Sequence, residues 1–335
     1  MKRSGIKEVA AAAGVSVATA SYVLSGTGRS SEATRKRVLE VADALGFIRD
    51  ASAARLRTGK SNLVGVILNN IVNPFFSELV ASLEATVYES GGLTLLATAQ
   101  NDLVRQERLL ASMVAQGVGS VILSPVHGST AEDLAPVLAH GLRLVVCVRD
   151  VVGSKAAFVG VDDEKSGYLA AECLLSAGHR SMVFIGGYQH TTTWDGRCAG
   201  IRQALADGNL PEAACRMVPG LLHPDFAEEK MLLLASQGML PKAVICFNDD
   251  QASGAYRAAR KLGLVVGRDI SVVGFDNIPQ SRILEPELTT VDIRPALIGR
   301  TSAEIALRKA SPAGEAAPRH RLEPSLVRRN SVIST

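Results

Sequence analysis

"GIKEVAAAAGVSVATASYVLSGTG", residues 5–28, reads as two short amphipathic helices pivoting on one glycine. Ile6, Val9, Ala10 and Ala13 fall at helical spacing, and Gly14 follows where the chain must turn sharply, with a positive φ that glycine adopts cheaply. Ser16 then caps a second helix from Val17 to Leu24. Its Ala20, Val23 and Leu24 share one face, while Val17, Ala18, Ser21 and Tyr22 share the other. Small Ala10 lets the two helices cross closely. This is the helix-turn-helix pattern, whose second helix puts its exposed N-terminal residues into the DNA major groove. An ordinary helical hairpin looks the same locally, so the sequel decides. Ser31 caps a third helix, "EATRKRVLEVADALG", with Ala33, Val38, Val41, Ala42 and Leu45 inside, Arg35, Lys36 and Arg37 available to phosphates, and Gly46 at its end.

The charge balance agrees. Residues 1–60 hold 11 Lys/Arg against 5 Asp/Glu, a net of +6, whereas the rest of the chain holds 25 against 28, a net of −3. A basic head on a mildly acidic body is the electrostatic layout of a nucleic-acid-binding module joined to a sensor or an enzyme. The next stretch, "DASAARLRTGKSN", is small and basic. It is either a plain linker or a short helix, narrow at Ala51, Ala53 and Ala54, that enters the minor groove with Leu56 as an apolar wedge and Arg55, Arg57 and Lys60 on the backbone.

From Asn62 onward, apolar runs alternate with helical periods. Strands are expected at "LVGVIL", "LTLLATA", "GSVILS", "LRLVVCV", "SMVFIGG", "AVICF" and "ISVVGF". Helices are expected near Glu78–Ser90, Leu103–Gln116, Glu164–Ala177, Gly196–Ala206 and Asp249–Lys261. Such alternation predicts parallel sheets covered by helices, and the length fits two doubly wound sheets. Ligands in these sheets bind beyond the carboxyl ends of strands, which places Asn69, Asn70, Arg149, Asn248, Asp249, Asp276 and Asn277 at a cleft, with Asp249 a candidate N-cap.

Several classes of chemistry find no support. The longest apolar runs fall far short of a membrane span, and no apolar signal segment opens the chain, so a cytoplasmic protein is expected. Five scattered cysteines lack a CxxC pair, and six histidines show no metal-ligand spacing. Neither a dinucleotide or P-loop glycine pattern nor a GxSxG elbow occurs. The expectation is a non-enzyme with no cofactor and no metal.

The chain resembles the lactose-repressor (LacI/GalR) family of bacterial transcription regulators. The matching stretches are "IKEVAAAAGVSVATAS", "SEATRKRVLEVADALGF", "RLRTGKSNLVGVI", "NPFF", "GVDDEKSGYLAAECLLSAGHR", "AVICFNDDQASGA" and "DISVVGFDNIP" with "LTTV". They cover nearly the whole length in order. The resemblance implies an all-α helix-turn-helix head at 1–49, a hinge helix and linker at 50–61, and a two-lobed α/β effector domain like the periplasmic binding proteins. The N-terminal lobe would take 62–161 plus 291–320, and the C-terminal lobe 162–290 plus 321–335. It further implies a repressor that binds a near-palindromic operator as a homodimer and responds to a small effector. A tetramer stays open, although the tail after Asn330 has no heptad repeat. A transporter's solute-binding protein would share the lobes but not the helix-turn-helix.

Residue by residue, the resemblance assigns DNA contacts to Val17, Ala18, Thr19, Ser21, Tyr22, Arg35, Ala53, Arg55, Leu56 and Arg57, and effector contacts to Asn70, Phe75, Phe76, Arg149, Arg197, Asn248 and Asp276. This sequence departs from the family in four places. Tyr22 stands where many members carry Arg. The hinge "RSL" is "ARL". The aspartate often found before "NPFF" is Asn70, and the "DR" after the fourth strand is "VR" at Val148 and Arg149. Losing two acceptors while keeping Arg149 and Arg197 shifts the effector from a neutral sugar toward a sugar acid or sugar phosphate. The alternative is that Arg149 pairs with Asp150 or Asp163 and never meets the ligand.

Overall fold

The structure is a computed structural model that describes residues 5–26, 28–47, 61–308 and 316–333. The chain divides into two compact units, Met1–Ser61 and Asn62–Thr335. Ala53, Arg55, Leu56 and Arg57 lie outside the described residues.

The first unit is built on three helices, α1 (Ile6–Ala12), α2 (Val17–Ser25) and α3 (Glu32–Ala44). Gly14 takes φ +65°, and the Val15 amide donates back to the Ala10 carbonyl, so α1 stops there and α2 leaves at a bend of 106°. The hydroxyls of Ser16 and Ser31 accept from the amides of Thr19 and Thr34, capping α2 and α3. Val9, Ala10, Ala13, Ala20, Val23, Val38 and Ala42 form the core. Ala33 and Leu45, expected inside, are exposed. Ala33 sits five residues before Val38, about 140° around the helix from it. Leu45 is displaced because the chain folds back beyond α3: the Phe47 amide donates to the Ala42 carbonyl, and the Phe47 ring packs on the core instead.

The second unit holds twelve strands among its described residues, in two six-stranded sheets. The first contains β1 (Leu63–Leu68), β2 (Leu93–Thr98), β3 (Ser120–Leu123), β4 (Arg143–Cys147), β5 (Ala157–Val161) and β11 (Arg319–Leu322), in the order β11-β5-β4-β3-β1-β2, all parallel. The second contains β6 (Met182–Ile185), β7 (Cys215–Val218), β8 (Ala243–Cys246), β9 (Ser271–Phe275), β10 (Thr289–Asp292) and β12 (Ser325–Val327), in the order β12-β10-β9-β8-β6-β7, with only β12 antiparallel. The chain passes between the sheets after β5, after β10 and after β11. Since β10 runs through Asp292 and β11 through Leu322, the later two crossings fall a residue or two past 290 and 320.

Each sheet is covered by helices. In the first lobe these are α4 (Pro74–Glu89), α5 (Leu103–Ala115), α6 (Ala131–Ala139) and α11 (Pro295–Leu307), the last returning to pack on α4. In the second they are α7 (Asp163–Ser176), α8 (Thr192–Asp207), α9 (Pro224–Ser236) and α10 (Asp249–Lys261). Helix α4 starts at Pro74, not Glu78, because Asn73 caps it and proline suits the first helical position. Asn248, not Asp249, caps α10. Among the described residues no single helix is long and apolar enough to cross a membrane.

One contact fixes the second lobe's geometry. A β-carbon added at Gly167 would fall 2.1 Å from the Arg197 carbonyl oxygen, and one at Gly200 would fall 1.8 Å from that of Glu164. Helices α7 and α8 thus touch backbone to backbone, which only glycine allows. We expect Gly200→Ala to cost about 2 kcal/mol or more of unfolding free energy, since the clash is with backbone and cannot relax by a rotamer change. A urea midpoint equal to wild type would show that the helices can separate freely.

Candidate functional site

On α2, Val17 is 44% exposed, Ala18 is exposed and Tyr22 is 55% exposed, all on the face away from the core. Thr19 and Ser21 are half-buried at its edges, and Thr19 already shares a 2.8 Å hydrogen bond with the Ser16 hydroxyl. The base of Tyr22 lies against Gly28, where an added β-carbon would fall 3.2 Å from the tyrosine β-carbon. Its root is therefore held while much of the side chain stays open. Arg35 is exposed in the first turn of α3.

In the second unit, Asn70, Phe75, Phe76, Arg149, Arg197, Asn248 and Asp276 line one cavity of about 70 Å³ between the lobes. Sequence reasoning missed Asn73, Ser124, Val148, Thr193, Leu222 and Ile293 in the same wall. Ser124 and Ile293 follow β3 and β10 directly, so the strand-end rule could have found them, and the capping asparagine of "NPFF" marks Asn73. Nothing local marks Leu222. Two strand-end residues are used elsewhere. The Asp249 carboxylate accepts from the Thr290 hydroxyl at 2.6 Å and the Ile278 amide at 3.1 Å, and the Asn277 side chain meets Arg329 and Asp292.

Arg197 is almost wholly enclosed. Its Nε donates to Asp163 Oδ1 at 3.2 Å, its Nη1 to the Phe247 carbonyl, and its guanidinium lies 4.5 Å and 4.2 Å from the ring centroids of Phe247 and Phe275. Arg197 is thus engaged by Asp163, a carbonyl and two rings while it still lines the cavity wall. Arg149 differs. Among the described residues it pairs with neither Asp150, which Arg319 holds, nor Asp163. It is 8% exposed, its Nη1 donates to the Pro125 carbonyl at 3.0 Å, and its buried Nε has no partner among the described residues. Burial pushes its pKa down to about 10, although the nearby Tyr188 and Asp163 act to raise it. The turn that aims it is strained. Val148 takes φ +67° between the Cys147 carbonyl and the Arg149 amide, which are bonded at 2.7 Å, and a β-branched residue there costs about 1–3 kcal/mol.

Asp276 faces Arg149's lobe from the other side. It is 6% exposed, takes φ +108°, and shares the cavity wall with Asn73 of the first lobe. Burial and the neighbouring Asp249 carboxylate hold its pKa well above the usual range. Two contacts tie the lobes: His127 Nε2 lies 3.1 Å from the Gln189 carbonyl oxygen with its ring stacked on Tyr188, and the Asp150 amide donates to the Thr192 hydroxyl at 3.0 Å.

The lacI family model of bacterial regulatory proteins matches residues 5–50, and the periplasmic binding protein-like domain matches residues 171–332. The transcriptional repressor PurR of Photorhabdus laumondii is 30% identical over 331 residues, covering 98% of this chain and 96% of the relative. The crystal structure of the Lac repressor dimer bound to operator and the anti-inducer ONPF is 25% identical with a TM-score of 0.87, covering 99% of this chain and all of that one. The transcriptional regulator CelR in complex with cellobiose is 26% identical, with a TM-score of 0.72 over 98% of this chain and all of that one.

The buried carboxylates make stability depend on pH. Burial outweighs the hydroxyl and amide donors on Asp249 and raises its pKa from 3.8 to about 7; Asp163 rises as far because burial outweighs Arg197. Between these values the folded chain keeps protons that the unfolded chain has lost, so their contribution falls as pH rises from about 4 to 7. Buried His179, its pKa pushed down, has the opposite slope at the acid end. The difference between wild type and Asp249→Asn isolates the carboxylate: urea midpoints should decline less from pH 5 to 8 in the variant. Parallel profiles would rule out ionisation of Asp249 in this range.

Proposed function

Because the chain belongs to the lacI family of bacterial regulatory proteins, and so is a ligand-responsive DNA-binding transcriptional repressor rather than an enzyme, we propose that it acts as a homodimer on a near-palindromic operator. Val17, Ala18, Thr19, Ser21 and Tyr22 read base edges, and Arg35 contacts phosphate. Ala53, Arg55, Leu56 and Arg57 complete the contact in the minor groove. The exposed face of α2 and the +6 charge of residues 1–60 support this reading. The dimer is supported by the edge strand β2, where Leu93 is 70% exposed and Leu95 and Leu96 are each 38% exposed, next to Tyr88 at 73%. Large apolar side chains exposed on an edge strand suit burial against a second copy.

The effector of this reading is a small hydroxylated anion, a sugar acid or sugar phosphate, held in the cavity between the lobes. Its acidic group lies on Arg149, its hydroxyls on Asp276 and Asn248, with Asn70, Phe75 and Phe76 along its side and Arg197 behind. The observation that carries it is Arg149: a buried guanidinium in the cavity wall that donates to the Pro125 carbonyl and, among the described residues, forms no ion pair with a carboxylate. Closure around such a ligand biases the lobes and through them the operator-bound state.

Two experiments test the two halves. A phenol gives one hydrogen bond and apolar surface, whereas Arg pairs with guanine in bidentate fashion for about 1–3 kcal/mol. Selection of sites from random DNA should therefore show a guanine preference gained by Tyr22→Arg at one position per half-site; base preferences unchanged at every position would remove Tyr22 from the reading surface. Calorimetric titration with D-glucose, D-gluconate and glucose 6-phosphate should favour an acid by about tenfold or more. Arg149→Ala should abolish that preference and Asp276→Ala should weaken all binding. A neutral sugar bound more tightly than its acids would dispose of the anionic effector and leave the regulator intact.

A further inference from the structure

Helix α2 reads VATASYVLS and holds no Arg, Lys, Asn, Gln, Asp or Glu. Those side chains make the paired or charge-assisted hydrogen bonds by which guanine, adenine and cytosine are told apart in the major groove, so α2 can make none of those pairings. Its hydroxyls are drawn toward their own helix. Ser16 at the cap shares a 2.8 Å bond with the Thr19 hydroxyl, Ser25 donates to the Tyr22 carbonyl at 3.0 Å, and Thr19 and Ser21 are half-buried. The exposed face offers carbon instead: the γ-methyls of Val17, the β-methyl of Ala18 and the ring of Tyr22, three side chains with one polar atom between them, the phenol oxygen. The ring is steadied at its base. Gly28 takes φ +103°, and a β-carbon added there would meet Tyr22 Cβ, Cγ and Cδ1 at 3.2, 3.3 and 3.4 Å, so the chain runs close against the tyrosine after leaving α2.

The feature of a base edge that an apolar surface recognises in the major groove is the 5-methyl group of a pyrimidine. We infer that α2 reads its operator by 5-methyl groups, which thymine supplies in any duplex and 5-methylcytosine supplies wherever cytosine has been methylated. This rests on the reading of α2 as the base-contacting helix. One methyl buried against Val17, Ala18 or Tyr22 is worth about fourfold in affinity, and a homodimer that meets it in both half-sites gains about fifteenfold. Each position therefore discriminates less than a bidentate contact does, and attraction between phosphates and the +6 head supplies a larger share of the total. The complex also becomes sensitive to methylation of cytosine: a methyl added at a contacted cytosine presents the same group that marks thymine, and the repressor tightens. The nearest other reader beyond α2 is Arg29, four residues past Ser25 and exposed, whose guanidinium suits guanine N7 and O6.

Band-shift titration of the full chain at one salt concentration, on a preferred site selected from random DNA, separates these readers. Replacing dT by dU in both half-sites, one symmetric pair of positions at a time, should weaken binding about fifteenfold at two or more of the pairs. At those same positions a duplex with 5-methyl-dC should bind more tightly than one with dC by about the same factor, which separates recognition of the methyl from recognition of thymine as a base. Val17→Ala and Tyr22→Ala, both outside the core of the head, should each remove the methyl dependence at one pair of positions and keep it at the others. Thymine and uracil bound alike at every position, with a sequence preference still present, overturns methyl reading and spares α2 as the base-contacting helix. A thymine preference over uracil with no gain from 5-methyl-dC overturns reading of the methyl irrespective of its base. A larger loss from 7-deazaguanine in place of guanine, erased by Arg29→Ala, overturns the proposal in favour of Arg29. Wild type that selects no sequence at all overturns methyl reading together with the reading beneath it.

Discussion

Arg197 can be buried at the cleft only because α7 and α8 touch backbone to backbone. Gly167 and Gly200 remove the side chains that would hold the helices apart, and Gly196 leaves room for the Asp163 β-carbon, which would otherwise sit 2.8 Å from an added β-carbon. Asp163 at the start of α7 then reaches Arg197 within the second turn of α8, and Phe247, just after β8, and Phe275, at the end of β9, close over the guanidinium. A buried ion pair of this kind adds little net stability, because desolvation offsets most of the attraction, but removing either partner is expensive. Its effect is on placement: it fixes the floor of the second lobe's half of the cavity.

The other half is fixed by strand ends. β1, β3 and β4 release Asn69, Ser124 and Arg149 at the same edge of one sheet, and β8, β9 and β10 release Asn248, Asp276 and Ile293 at the facing edge of the other. Parallel strands carry their carboxyl ends to one side, so six polar or apolar groups converge without any one of them being near another in sequence. Three chain crossings hold the sheets side by side, and bonds from His127 to Gln189 and from Asp150 to Thr192 span the gap. Any shift between two lobe arrangements requires a ligand to interact differently with the two, and these inter-lobe contacts are where such a difference would register.

Much of this was legible from local signals. Gly14, Ser16 and Ser31 mark helix boundaries by rules that need only a few residues, and the alternation of apolar runs marks the sheets. The seven cleft residues followed from family resemblance and from the strand-end rule. What escaped depends on packing between distant segments. Whether Arg149 or Arg197 takes Asp163 is decided by the crossing of α7 and α8, and the two arginines look alike in sequence. Leu45 and Phe47 are both apolar residues after α3, and only the fold-back bond from Phe47 to Ala42 selects between them. Asp249 and Asn248 are adjacent polar residues at one helix start; burial against Thr290 and Ile278 assigns the cap to Asn248.

The departures from the family pattern have a common physical consequence. Replacing a carboxylate with Val148 puts a β-branched side chain at φ +67°, a conformation it resists, and replacing another with Asn70 removes a second negative charge from the first lobe's rim. The first lobe's rim therefore carries Arg149 beside the neutral Asn70 and Val148, while the second lobe sets Asp163 against Arg197 and buries Asp276 near Asp249. The strain at Val148 persists because the turn it occupies is bonded on both sides, by Val148 to Val159 and by Arg149 to Cys147, so the sheet holds the guanidinium in place before any ligand arrives.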